Sequence, residues 1–195
     1  MLFNRNDLIA RARAIASQKV ATFDSKPVLN KVQESFSGVE TYDIFLSHRY
    51  IDKDAVAGLA DKLRNEYGLK VYVDWIVDPD LDRDKVNKKT ADLIRKRMKQ
   101  CKCLWYVTSE NASGSKWMPW EVGFMDGHKD RVAICPLVEG SKQTFNGEEY
   151  LSLYPYISED FAKNDSQKSL WVNESASVYC PFNAWLMLGQ KPIQH

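Results

Sequence analysis

The stretch Tyr42-Asp43-Ile44-Phe45-Leu46-Ser47 is short, mostly apolar and without a long alternation of polar and apolar residues. This pattern predicts a strand that is covered on both faces, as strands of parallel sheets are. A helical pattern that contains Val56, Leu59 and Leu63 follows and stops at Gly68, a residue type that commonly ends helices. Residue 42 therefore begins an alternation of strand and helix.

The alternation continues along the next seventy residues. Further strands are predicted at 69–75, 103–108 and 131–137, with helical patterns between them at about 84–99 and 117–127. Strands separated by helical patterns of ten residues or more are typical of right-handed βαβ crossovers. The sequence therefore predicts an α/β fold with a flavodoxin-like parallel sheet and helices on both faces.

Two segments lie outside this alternation. Residues 1–39 are predicted as an N-terminal helical extension, because apolar residues from Leu8 to Val20 recur at helical spacing. Residues 139–195 are predicted as a C-terminal extension packed on the central domain, which spans 40–138. Within this second extension, 150–157 is predicted as an edge strand and 181–188 as a terminal helix.

Composition narrows the class of function. The 195 residues carry 27 basic and 26 acidic side chains, so no long-range field favours nucleic acid or a membrane surface. No apolar run approaches the roughly 20 residues that a membrane-spanning helix needs. The four cysteines lack paired CxxC motifs, and no secretory signal is recognisable. Reduced thiols in a cytoplasmic protein are therefore predicted, with no metal site.

Polar residues follow the first and third predicted strands. Ser47, His48 and Arg49 leave the first strand, and Thr108 and Ser109 leave the third. In doubly wound sheets, ligands bind outside the carboxyl ends of the strands, where the strand order reverses. These groups are therefore expected on one rim, where Arg49 is either a contact for phosphate or ribose or an exposed structural arginine.

The helix that follows the third strand carries a carboxylate near its start. Pro119 suits a first helical turn, and Trp117 lies four residues before Glu121, on the same stripe. Gly123 and Gly127 are expected to let this helix approach the sheet closely. From spacing alone, the preferred interpretation of Glu121 is an acidic residue that favours a helix N-terminus.

Three motifs together indicate a family. The stretch 42–49 resembles the first-strand motif of Toll/interleukin-1 receptor (TIR) domains, and 71–75 resembles their second strand and the start of their BB loop. The stretch 115–121 is similar to their serine, tryptophan and glutamate signature, and its continuation to Gly127 looks most like that of bacterial members. The resemblance covers about residues 40–138.

The resemblance implies a site and a chemistry. In enzymatic members, the glutamate that matches Glu121 cleaves the nicotinamide–ribose bond of NAD, and the tryptophan that matches Trp117 contributes to the site of cyclising bacterial members. Ser47, His48 and Arg49 are predicted to bind substrate, although many relatives have tyrosine where His48 stands. Asp74 and Trp75 are expected to line the pocket or to anchor the loop. Neither a cofactor nor a metal is implied, because NAD is the substrate.

The sequence thus leads to one preferred function and two alternatives. The preferred function is an NAD glycohydrolase or ADP-ribosyl cyclase in bacterial antiphage defence, whose diffusible nucleotide signal reaches a downstream effector. The first alternative is a TIR-like interaction module that associates, also with itself, through the 76–84 loop and helix faces. The second is a nucleoside-processing glycosidase or transferase that uses Glu121 on other substrates.

Overall fold

The computed structural model describes residues 1–17, 41–73, 87–109, 115, 117–141, 144–145, 149–162 and 166–195. Its strands are β1 (Phe3–Asn4), β2 (Tyr42–Ser47), β3 (Val71–Tyr72), β4 (Cys101–Thr108), β5 (Val132–Val138), β6 (Tyr156–Phe161), β7 (Lys168–Asn173), β8 (Val178–Pro181) and β9 (Ile193–Gln194). Its α-helices are α1 (Arg5–Ser17), α2 (Lys53–Tyr67), α3 (Lys88–Gln100), α4 (Met118–Lys129) and α5 (Phe182–Leu188). Two 3₁₀ helices lie at Tyr50–Asp52 and Glu149–Leu153.

The sheet has the strand order β3-β2-β4-β5-β6-β7-β8-β9, and β1 also pairs with β5. All pairings from β3 to β6 are parallel, and those from β6 to β9 are antiparallel. The chain leaves β2 for the outer strand β3 and then crosses back to β4, so the order reverses between β2 and β4. The predicted flavodoxin-like sheet is therefore confirmed, and its switch point lies where the sequence places it.

Helices cover both faces of the sheet. One core cluster combines residues of α1, α2 and α5 with alternate residues of the strands, such as Cys103, Trp105 and Val107 of β4. The other cluster combines residues of α3 and α4 with the opposite set, such as Leu104 and Tyr106. We name these the α2-side and the α4-side clusters. The central strands are apolar on both faces because both faces are covered.

The N-terminal segment is part of this sheet. Phe3 and Asn4 pair in parallel with Leu137 and Val138 of β5, and the carbonyl oxygen of Met1 accepts a hydrogen bond of 2.9 Å from the backbone of Glu159 in β6. Helix α1, which the spacing of its apolar residues predicts, then packs on α2. The predicted domain boundaries at residues 39 and 138 remain predictions. The segments before and after them both contribute strands to the central sheet.

The predicted edge strand at 150–157 is wrong. Residues Glu149–Leu153 form a 3₁₀ helix, and the strand that follows is β6, an interior strand between β5 and β7. The backbone of Glu149 has a φ of 50°, which is incompatible with an extended chain. The predicted terminal helix at 181–188 is confirmed by α5.

The described part of the chain can be compared with two predictions from composition, on the cysteines and on membrane-spanning helices. All four cysteines are free and buried, and burial raises the pKa of the Cys135 thiol, so this thiol is protonated at neutral pH. Among the described helices, none combines the length and the apolar character that crossing a membrane requires.

Candidate active site

The carboxyl ends of β2 and β4 lie side by side, as the strand order requires. The register places Ser47, the last residue of β2, opposite Tyr106 of β4. Neighbouring strands are about 4.8 Å apart, so these two residues are immediate neighbours in the sheet. Ser47 is fully buried, and Tyr106 is 5% exposed. A polar row therefore crosses the sheet beneath the start of α4.

Helix α4 brings a carboxylate to this row. The Ser115 hydroxyl accepts a hydrogen bond of 3.2 Å from the backbone of Met118, and Pro119 occupies the first helical turn. The backbone N–H of Glu121 donates to the carbonyl of Trp117 over 2.9 Å. Glu121 is thereby held one turn inside the helix, with its side chain directed at the sheet.

Glu121 is fully buried, and its carboxylate meets Ser47. The Ser47 hydroxyl donates a hydrogen bond of 2.6 Å to Oε2 of Glu121. A buried carboxylate is costly unless it is hydrogen-bonded, and a short bond to an ionised acceptor is among the stronger protein hydrogen bonds. The structure therefore joins two of the predicted site residues at the carboxyl rim of the switch point.

Trp117 is mostly buried beside them. The residue is 8% exposed and belongs to the α4-side cluster, and its ring centroid lies 5.4 Å from that of Trp120 in an edge-to-face arrangement. Such packing holds the ring in one orientation. Trp117 is thus a rigid wall close to Glu121, and its contact with substrate remains a prediction.

His48 and Arg49 continue the rim after Ser47. His48 is 4% exposed, and its Nδ1 lies 2.9 Å from the carbonyl oxygen of Leu46, so the ring is fixed by its own strand. Arg49 is half-buried and close enough to Tyr106 to influence its ionisation. Both residues lie where the sequence predicts them, and their contact with substrate stays a prediction.

Tyr106 lies in the candidate site, although the sequence did not indicate it. Burial raises the pKa of Tyr106 above the ordinary tyrosine value, and the influence of Tyr150 and the charge of Glu121 add to the rise. The hydroxyl is therefore protonated at neutral pH and available as a donor. The alternation of clusters along β4 is the signal that would have placed Tyr106 on the Glu121 side.

The family model described as "TIR domain" matches residues 44–170, about two thirds of the chain and all of the groups described above.

The chain belongs to the TIR domain family.

Two relatives extend this finding. A protein of Bacillus cereus (strain MSX-D12) that carries the name "Probable 3' cyclic ADP-D-ribose synthase ThsB'" is 40% identical over 190 residues, which cover 95% of this chain and 97% of that protein. A protein of Cytobacillus dafuensis that carries the name "Putative cyclic ADP-D-ribose synthase TIR2" is 31% identical over 86 residues, which cover 44% of this chain and 22% of that protein. The similarity to the Bacillus protein includes the segments on both sides of the 44–170 match.

In this TIR domain, a second buried carboxylate connects the N-terminal helix to the rim. Asp52 is 1% exposed and directly precedes the first residue of α2. Its carboxylate accepts hydrogen bonds from Ser109 Oγ at 2.9 Å and from Arg5 Nε at 3.1 Å. Ser109 directly follows β4, so the pair fixes the point where the chain leaves the central strand. Arg5 of α1 balances the buried charge.

The remaining predicted site residues, Asp74 and Trp75, lie outside the described part of the TIR domain. The 76–84 loop that follows them does so as well. Their role in the pocket stays a prediction that rests on the family's second-strand motif.

Proposed function

We propose that this TIR protein cleaves the nicotinamide–ribose bond of NAD and converts the ADP-ribosyl group into a cyclic nucleotide signal for bacterial antiphage defence. The observation that carries the proposal is the buried Glu121 carboxylate, held by Ser47 at the switch point of the sheet. The Bacillus relative, which matches the chain almost end to end, supports the cyclic product through its name. We further propose a cytoplasmic location, NAD as the substrate, and no additional cofactor.

The reaction suits a site built around one carboxylate. Nicotinamide leaves as a neutral molecule, because its ring nitrogen is cationic in NAD and takes the electron pair of the broken bond. No proton has to be supplied to the leaving group. The ribose that remains develops positive charge at C1′, as sugars do in glycoside hydrolysis. A carboxylate is therefore needed where that charge forms.

Burial determines how strongly the Glu121 carboxylate can stabilise the positive charge that develops on the ribose. At a separation of about 4 Å, opposite charges attract by about 1 kcal/mol in bulk water and about 4 kcal/mol at the effective dielectric of a protein site. Glu121 is fully buried, so the higher figure applies to its carboxylate. The hydrogen bond from Ser47 keeps Oε2 in place before the reaction and spares the cost of reorienting it.

Two partner predictions accompany the activity. We propose that the product diffuses to a downstream effector, and that copies of the chain associate through TIR surfaces. The near-balance of 27 basic and 26 acidic side chains supports the view that neither nucleic acid nor a membrane is the target.

The test is nicotinamide release from NAD by the purified wild type, by Glu121→Gln and by Glu139→Gln. The loss of about 4 kcal/mol of charge stabilisation corresponds to a loss of roughly a thousandfold in rate for Glu121→Gln. Glu139 is an exposed carboxylate just after β5, so Glu139→Gln is expected to match the wild type. Equal rates for wild type and Glu121→Gln would remove the carboxylate from the mechanism.

A binding experiment separates an inactive enzyme from an interaction module. Glu121→Gln should retain NAD affinity, because glutamine is the same size as glutamate and the other residues of the rim are the same as in the wild type. Isothermal titration calorimetry of the variant with NAD measures this affinity. A folded protein that neither binds nor cleaves NAD would favour the interaction module, whereas cleavage of free nucleosides would favour the nucleoside-processing alternative.

A further inference from the structure

A cavity lies on one face of the antiparallel half of the sheet. Its floor is built from alternate residues of three neighbouring strands, which are Tyr156 and Ser158 of β6, Trp171 and Asn173 of β7, and Tyr179 of β8. The residues between them, such as Ile157 and Val172, belong to the α2-side cluster together with residues of α5. The cavity is therefore on the face opposite α5, and its volume of about 750 Å³ is typical of a small-molecule site.

The cavity is separate from the candidate active site. The register connects the two through one row of residues, which consists of Ser47, Tyr106, Ile134, Tyr156 and Asn173. Asn173 is thus four strands away from Ser47, or about 19 Å at a spacing of about 4.8 Å between strands. A ligand in the cavity therefore does not displace a substrate bound at the active-site rim.

Two buried polar side chains present unused hydrogen-bonding groups in the cavity. Asn173 is 8% exposed, and its Nδ2 donates to the carbonyl oxygens of Tyr156 at 3.1 Å and Trp171 at 3.2 Å. These acceptors fix the orientation of the amide, which leaves Oδ1 as an acceptor. Ser158 is 6% exposed, and its Oγ accepts a bond of 3.0 Å from Asn173 Nδ2, so its own proton stays available. Within the described residues, neither Asn173 Oδ1 nor the Ser158 proton has a partner.

An aromatic wall stands beside this polar pair. The rings of Trp171 and Tyr179 are half-buried, with centroids 5.5 Å apart and planes at 89°. Trp171 Nε1 donates to the carbonyl of Asp160 over 3.2 Å, and the His195 ring stacks on Tyr179 with centroids 4.2 Å apart. Both rings are thus held in place before a ligand arrives. Half-buried aromatic rings of this kind are surfaces on which nucleobases stack.

The charges of the lining favour an uncharged ligand. Among the described residues that line the cavity, none is lysine or arginine. The amino group of Met1 lies 3.3 Å from Asp160 Oδ2, so these two opposite charges compensate each other. Phosphate groups are bound mainly through arginine and lysine side chains. The lining therefore suits a planar molecule without phosphate.

We propose that this cavity is a second ligand site, which binds a neutral nucleoside. The base stacks on the wall formed by Trp171 and Tyr179, and its edge pairs with Asn173 and Ser158. Nucleobases carry a donor close to an acceptor, as adenine does with its N6 amino group and N7. The amino group donates to Asn173 Oδ1, and the Ser158 hydroxyl donates to the ring nitrogen. The site is independent of the proposed function, since it involves neither Glu121 nor the cleavage of NAD.

The experiment is calorimetric titration of the full chain with adenosine. Trp171→Ala should weaken binding by about tenfold or more, because it removes the stacking surface. Ser158→Ala should weaken it by about fivefold, because it removes one hydrogen-bond donor. Ser152→Ala is the matched control for the serine and should equal the wild type, since Ser152 is exposed and lies outside the cavity.

Changes in the ligand test the same contacts without altering the protein. Purine riboside lacks the N6 amino group and should bind about fivefold more weakly than adenosine, because Asn173 Oδ1 then has no donor. Adenosine monophosphate should also bind more weakly, since the lining offers no cation to its phosphate. Equal affinity for adenosine and its monophosphate would contradict a site for neutral ligands. These comparisons carry the test if Trp171→Ala does not fold.

Guanosine, cytidine and uridine complete the set of probes. Binding of any of the four nucleosides that is weakened in Ser158→Ala and Trp171→Ala supports the proposal. Failure of the folded wild type to bind any of them would overturn it. Equal binding by the wild type and both variants would also overturn it, because the nucleoside would then occupy another place, such as the active-site rim. Nicotinamide release from NAD is measured separately, so a failure of this proposal leaves the proposed function unaffected.

Discussion

Ser47 and Glu121 are 74 residues apart in the chain, yet Ser47 Oγ lies 2.6 Å from Oε2 of Glu121. Two different elements produce this pair. Ser47 ends β2 at the carboxyl edge of the sheet, and Glu121 lies one turn inside α4, which packs on that face. Both side chains are fully buried, so the hydroxyl replaces part of the hydration that the carboxylate loses.

We predict that Ser47→Ala slows nicotinamide release by about 10- to 100-fold, mainly in kcat. A hydrogen bond to a charged group contributes about 1.5–3 kcal/mol, and its loss allows the carboxylate to leave the orientation that faces the ribosyl cation. Steady-state kinetics with NAD measures the effect. Ser177→Ala, which removes an exposed hydroxyl, should leave kcat unchanged. An unaltered kcat in Ser47→Ala would show that Glu121 is oriented by other contacts.

A third buried carboxylate, Glu159 of β6, connects α2 with the C-terminal strands. Its Oε1 accepts a hydrogen bond of 2.5 Å from Tyr67 and lies 2.8 Å from Lys62 Nζ, and its Oε2 lies 3.2 Å from Lys168 Nζ. Burial raises the pKa of Glu159, but the hydrogen bonds from Lys62 and Tyr67 outweigh it. The pKa in the folded protein is therefore below the ordinary 4.5.

The sign of the pH dependence follows from this lowered pKa. The folded state binds its proton less tightly than the unfolded state, so the contribution of Glu159 is complete above about pH 4.5 and is lost as the pH falls through the folded pKa. Glu159→Gln should lower the free energy of unfolding by about 2 kcal/mol at pH 7. We expect its difference from the wild type to shrink below pH 4.5.

Urea unfolding of both proteins between pH 3 and pH 7 measures this difference. Glu174→Gln is the control, because Glu174 is exposed after β7 and should differ little from the wild type at any pH. A difference between wild type and Glu159→Gln that stays constant over this range would mean that the charge of Glu159 contributes nothing.

The central sheet could be predicted because its strands are continuous apolar runs, which need no knowledge of their neighbours. The helical pattern predicted at about 84–99 corresponds to α3, at whose start Asn87 accepts a hydrogen bond of 3.0 Å from the backbone of Thr90. The family motif led to Glu121 and Ser47, while the spacing of Glu121 alone favoured a plain helix-start residue. Local sequence therefore predicted the elements that are stabilised by contacts between residues close in the chain.

The place of Tyr106 in the candidate site could not be predicted because it depends on long-range packing. Every residue of β4 from Cys103 to Val107 is buried, so the sequence does not show which face a given side chain occupies. The face of Tyr106 is set by its register with Ser47 and by the helix that covers it. The segment around Tyr150 is predicted as extended but forms a 3₁₀ helix.

The glycines are a second case in which contacts between distant parts of the chain could not be predicted from local sequence. Gly123 and Gly127 were expected to let α4 approach the sheet, but both are exposed, and a Cβ at either position would meet no atom within 4 Å. That prediction is wrong. The close approach is instead at Gly58 of α2, where a Cβ would lie 2.0 Å from the carbonyl oxygen of Leu8. The partner helix α1 is 50 residues away in the chain, so no local pattern indicates it.

Alanine substitutions at Gly58 and Gly123 should therefore have opposite signs. In a helix interior, alanine is favoured over glycine by up to about 1 kcal/mol, so Gly123→Ala should raise the free energy of unfolding by up to that amount. Gly58→Ala gains the same propensity but must push α1 away from α2, at a cost of about 1–3 kcal/mol or more, because the clash is with backbone. Thermal and urea unfolding compare the two variants directly. Stabilisation by both would show that α1 does not contact α2 at Gly58, whereas destabilisation by Gly58→Ala alone would locate the closest helix–helix contact there.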